Sequence, residues 1–154
     1  MSSIIGWPDT KISLSFSVSA QINFFTSTVC HSSAATPPPS PTSLKSLEEL
    51  AINDNLLECL PDSIGRLEKL QTLILDCNLL TRVPVSITNC SQLRLLSLAE
   101  NRLSELPEEI GMLNNLKVLN LSGNDLESLP ASLVNIPLSA LWLSDNQRLA
   151  SPEP

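Results

Sequence analysis

Three columns of residues recur with one spacing along the second half of this 154-residue chain. Asn55, Asn78, Asn101 and Asn124 stand 23 residues apart, and Asn146 follows after 22. Pro61, Pro84, Pro107, Pro130 and Pro152 keep the same beat, as do Leu50, Leu73, Leu96, Leu119 and Leu141. A long fixed period in independent columns marks stacked repeats, in which each unit buries its apolar face only against its neighbours. Such a chain builds an elongated array instead of a single closed core.

Aligned on the asparagines, the units begin at Leu47, Leu70, Leu93, Leu116 and Leu138, and each reads L-x-x-L-x-L-x-x-N. The L-x-L portion suits a short strand, whose side chains alternate between two faces. Leu50 and Ile52 then point inward, as do Leu73 and Leu75, Leu96 and Leu98, Leu119 and Leu121, and Leu141 and Leu143. Stacking sets these strands side by side in a parallel sheet and merges their leucines into continuous apolar columns. The asparagine falls where the chain leaves the sheet. Its amide both donates and accepts, so Asn55, Asn78, Asn101, Asn124 and Asn146 are expected to form a ladder that satisfies backbone groups of adjacent turns. The second half of the unit, Leu-Pro-x-x-Ile-Gly-x-Leu, is clear at Leu60-Pro61, Leu106-Pro107 and Leu129-Pro130, with Val83-Pro84 as a variant. Proline suits the first residue of a short helix. Ile64 and Leu67, and Ile110 and Leu113, lie three apart and face the core together. Gly65 and Gly111 favour close packing there.

This pattern is that of the leucine-rich repeat, and the likeness covers roughly 110 residues. The expected fold is an α/β solenoid: a horseshoe of about five 23-residue turns. Parallel strands line its concave face and short helices or 3-10 turns its convex face. The Leu-Pro variant resembles intracellular repeats of the Ras-pathway and cell-polarity type. The segment Leu138-Ser-Ala-Leu-Trp-Leu-Ser-Asp-Asn-Gln147 resembles the closing repeat of the leucine-rich-repeat and PDZ (LAP) scaffold family, which includes Scribble and Erbin. That resemblance implies a cytoplasmic adaptor, peripheral at the basolateral membrane or cell junction. Its implied partners are polarity or junction proteins or a small GTPase.

Residues between the inward leucines face the hollow of the horseshoe. The candidate partner-binding positions are Glu49, Thr72, Ile74, Asp76, Leu95, Ser97, Val118, Asn120 and Trp142. Ile74, Leu95, Val118 and Trp142 are apolar where water is expected, and contiguous exposed apolar groups mark interaction surfaces. Tryptophan in particular is enriched at binding hot spots. Chemistry finds less support. Glu108 and Glu109 open a helical turn, where acids suit the helix dipole. Cys77 has no base beside it. Phosphate-binding loops and nucleophile elbows are absent, so no catalytic residue, metal ligand or cofactor is assigned and the expected role is non-catalytic binding of a protein.

The net charge is −7, and residues 44–154 carry all of it, with 15 acids against 8 bases. Such a surface disfavours nucleic acid and anionic lipid and favours a basic protein partner. No apolar run reaches the roughly 18–20 residues of a membrane span. The cysteines, Cys30, Cys59, Cys77 and Cys90, form no CxxC pair and cluster at neither end of the array, so four reduced thiols in a cytosolic protein are expected. The first rival reading is a Ras-pathway leucine-rich-repeat regulator; the second is a secreted recognition protein, which would use a paired cysteine or a glycan on the sequons at Asn89 or Asn120.

Residues 1–43 differ in composition, being rich in Ser, Thr and Pro, and are expected to be disordered, ahead of a repeat domain over 44–154. Within them Ile12 to Val18 alternates apolar residues with serine, as a short strand does, with no partner strand evident. Pro37 to Pro41 reads as a stiff linker; Pro38-x-x-Pro41 fits an SH3 ligand and Ser40-Pro41 a phosphorylation site. Pro38 lies 23 residues before Pro61, in frame with the array, which suggests upstream turns missing from this chain.

Overall fold

The computed structural model describes residues 11–13 and 46–149. Six three-residue strands form one parallel sheet in sequence order: β1 (Lys11–Ser13), β2 (Glu49–Ala51), β3 (Thr72–Ile74), β4 (Leu95–Ser97), β5 (Val118–Asn120) and β6 (Ala140–Trp142). The register follows the repeat: Leu50 pairs with Leu73, Leu73 with Leu96, Leu96 with Leu119 and Leu119 with Leu141. One column of leucines therefore runs through the array, as the period required. β1 extends the sheet beyond the repeats, with Ile12 in register with Leu50. The alternating segment thus has a partner, β2, over Lys11–Ser13. Residues 14–45, with the polyproline linker and the sequence around Ser40, lie outside the described residues.

Between strands the chain crosses the opposite face in five-residue 3-10 helices at Asp62–Arg66, Val85–Asn89, Glu108–Met112 and Ala131–Asn135. Their bonds close over three residues, as in Ile64 N–H to Pro61 C=O at 3.0 Å and Leu67 N–H to Ile64 C=O at 3.1 Å. Proline stands one place earlier than expected. Pro61, Pro84, Pro107 and Pro130 are the extended N-caps, not the first helical residues. Their carbonyls accept the first helical bond, so the missing proline N–H costs nothing.

The core lies between sheet and helices. It is built from whole columns: Leu70, Leu93 and Leu116; Leu73, Leu96 and Leu119; Leu80, Leu103 and Leu126; Ile64, Ile87 and Ile110. Burial of each such side chain stabilises by about 1.5–3 kcal/mol. Glycine decides how closely successive helices approach. A methyl at Gly65 would lie 2.4 Å from the Ser86 carbonyl oxygen, and one at Gly111 would lie 2.5 Å from Ser132 Cβ.

The asparagine ladder has a direction. Asn101 Nδ2 donates to Leu75 C=O of the preceding turn at 3.0 Å and to Leu98 C=O of its own turn at 3.1 Å. Its Oδ1 accepts from Leu80 N–H, again in the preceding turn, at 3.0 Å. Asn78, Asn124 and Asn146 repeat this arrangement. All five ladder asparagines are buried.

Candidate protein-binding surface

Strand geometry places the candidate residues in rows across the sheet. Glu49, Thr72, Leu95, Val118 and Ala140 form one row, and Ala51, Ile74, Ser97, Asn120 and Trp142 a second. Most are half-buried, since they flank the fully covered leucine column and have nothing stacked above them. Trp142 is 52% exposed and Leu141, expected to point inward and be covered, is 38% exposed. Leu141 departs from expectation because its column is covered by the following turn, and among the described residues no strand follows β6.

Asp76 follows β3 in the next row. Its Oδ1 accepts from the Ser97 hydroxyl at 2.6 Å and from Ala99 N–H at 2.9 Å. Ser97 is consequently only 7% exposed. Asp76 and Ser97 brace each other across two turns, whereas Thr72, Ile74, Leu95, Val118 and Asn120 offer surface beside them. Asn120 also braces its own turn, its Oδ1 accepting from Ser122 N–H at 3.2 Å.

A feature absent from the sequence reading lies just beyond. Asp54, Cys77, Glu100, Gly123 and Asp145, each one residue before a ladder asparagine, all have positive φ between 53° and 66°. The chain reverses there in the left-handed conformation that glycine adopts freely and other residues adopt at a cost. Two aspartates and a glycine at these positions were a signal; Cys77 and Glu100 obscured it.

The cysteines divide. Cys77 is exposed, and partial desolvation, reinforced by Asp54, Asp76 and Glu100, pushes its thiol pKa up, the reverse of what a reactive thiol needs. Cys90 is buried, donates to Ile64 C=O at 3.3 Å, and burial raises its pKa to about 11. Both are free, but Cys59 is disulfide-bonded, which corrects the expectation of four reduced thiols. Cys30 lies outside the described residues. Among the described residues no group of three or more His, Cys, Asp or Glu side chains is placed to hold a metal, and no helix is long and apolar enough to cross a membrane.

Residues 85–152 match a family model described as a leucine-rich repeat region. No curated protein matches the chain. Among solved structures, a leucine-rich-repeat protein of Leptospira interrogans is similar at 38% identity and a TM-score of 0.65, over 66% of this chain and 26% of that one. The leucine-rich-repeat ectodomain of the plant membrane receptor kinase GASSHO1/SCHENGEN3 from Arabidopsis thaliana, in complex with CASPARIAN STRIP INTEGRITY FACTOR 2, is similar at 37% identity and a TM-score of 0.59, over 66% of this chain and 13% of that one. The PEPR1–AtPEP1 structure is similar at 31% identity and a TM-score of 0.61, over 70% and 16%. This chain therefore spans about a quarter or less of each of these proteins. The in-register leucines, the asparagine ladder and these likenesses together identify the chain as a leucine-rich-repeat solenoid.

Proposed function

We propose that the concave sheet is a non-catalytic binding surface for another protein. One observation carries this reading: Ile74, Leu95 and Val118 form a half-exposed apolar strip that runs to the exposed Trp142. Apolar side chains left uncovered on a regular face lower their free energy when a partner removes them from water. The complex named for the GASSHO1/SCHENGEN3 ectodomain is a precedent for ligand binding by this fold. Within this reading, Leu138 to Gln147 favours an intracellular scaffold of the cell-polarity or junction type, working in the cytoplasm or at the basolateral membrane. A Ras-pathway regulator that engages a small GTPase would use the same face.

A secreted recognition protein is the second reading, favoured by the disulfide at Cys59 and by the exposed Asn89 within Asn89-Cys90-Ser91. Affinity capture from cells with the full chain, followed by mass spectrometry, tests the binding role. Trp142→Ala and Ile74→Asp are expected to remove the captured partner. Undiminished capture by both variants would move the site off the sheet. Peptide mapping of the same material reads the state of Cys59 and any glycan on Asn89 or Asn120, which separates the secreted reading from the intracellular one.

A further inference from the structure

The concave surface is electrically lopsided. Along the rim at the carboxyl ends of the strands, Asp54, Glu100 and Asp145 are exposed and Asp76 is half-buried, and no Lys or Arg occupies the equivalent positions of any turn. The opposite rim, the residues just before the strands, carries exposed Arg94 and Lys117, with half-buried Glu48 in the first turn. The apolar strip lies between. Among the described residues no cation of the chain pairs with Asp54, Glu100 or Asp145, whereas Glu127 on the far side of its turn is paired with Arg148. Desolvation first, and then the charges of Asp54, Asp76 and Glu100, push the pKa of the Cys77 thiol up.

We infer that the partner presents to this face a cationic, apolar segment, with leucine-like side chains on the strip and lysine or arginine against the carboxylate rim. This rests on the binding role proposed above and names the chemistry of the partner. Strands about 4.8 Å apart put the acids of turns one to five within roughly 20 Å, the span of about six extended residues. A lysine stem is long and flexible enough to reach the rim while its neighbours sit on the sheet. Unpaired carboxylates beside an apolar strip attract such a segment and repel an acidic one of equal hydrophobicity.

The test uses the full chain and two fluorescent nonapeptides, one alternating leucine with lysine and one alternating leucine with glutamate, followed by anisotropy. The lysine peptide is expected to bind at least about tenfold more tightly, and to weaken about fivefold or more when salt rises from roughly 50 to 500 mM. The combined variant Asp54→Asn, Glu100→Gln and Asp145→Asn removes charge but leaves the Asp76–Ser97 brace intact. It is expected to lose most of the preference, with its urea midpoint confirming that the fold persists. Equal binding of the two peptides, or an unaltered preference in the neutralised variant, overturns the inference. So does failure of both peptides to bind. In each of these cases the cellular capture by Trp142→Ala and Ile74→Asp judges the binding role separately.

Discussion

The strands β4 and β6 carry the same L-x-L plan, yet Leu96 is 0% exposed and Leu141 is 38% exposed. The helices differ likewise: Glu108–Met112 buries Ile110, whereas Ala131–Asn135 buries none of its residues. A repeat does not own its core. Each leucine is covered by the turns on both sides, so the same residue contributes differently according to what stacks upon it. The asparagines behave otherwise. Asn146 in the last turn keeps the bonds that Asn101 has in the third, because these bonds run to the preceding turn. Apolar columns weaken at this end of the array while the polar ladder remains whole.

Paired substitutions can break that contrast. The largest effect is expected for Leu96→Ala, about 3–5 kcal/mol in urea unfolding, because the surrounding columns cannot collapse around the void. Leu141→Ala is expected to cost about 1 kcal/mol or less. Equal losses would mean that the last turn is covered as fully as the third.

The next largest effect concerns pH. Cys90 titrates at about 11 when folded against an ordinary value of 9.0, so the unfolded chain loses its proton first. Between pH 9 and 11 the native state holds the proton and the unfolded state does not. Stability should therefore be intact below about pH 9 and fall as pH rises through 11, by up to about 2–3 kcal/mol. Ile136 holds the equivalent place in the last helix. Cys90→Ile borrows it and should remove most of the slope, leaving only the share that the raised pKa of Cys77 supplies with the same sign, while Cys77→Ser should leave the larger Cys90 share in place.

Asn101→Ala and Asn146→Ala are expected to cost similar amounts, about 1–3 kcal/mol, through orphaned backbone groups. A much smaller loss at Asn146 would show that water replaces its bonds near the end and would extend the apolar gradient to the ladder. The smallest effect is expected at the left-handed column. Glu100→Gly relieves the positive φ at a cost in chain entropy, for a net gain of about 0.5–1 kcal/mol in melting experiments. Gly123→Ala should do the reverse.

The repeat length, strand register, ladder and inward columns were all legible in the sequence, because each depends on residue type at a fixed interval. The departures have local causes. The proline shift by one place turns on which residue donates the first helical bond. The left-handed column was hidden because any residue can be held there when the stack on both sides fixes the backbone. Within the candidate surface, the sequence named Ser97 and Asp76 among the concave rows, but the bond between them appears only when two turns are juxtaposed. The pairing of β1 with β2 joins the repeats to the front segment, whose irregular composition has no period to read, and the bonded state of Cys59 follows no repeating column.

Because Asn78, Asn101, Asn124 and Asn146 each fasten backward, a coil appended after another arrives with its own means of attachment. The carbonyls and amide it needs already stand in the coil before it, so lengthening by whole units at that end leaves no buried amide stranded. Such a chain can vary in size across descent by simple duplication, and its grip can be widened without redesigning the scaffold that carries it.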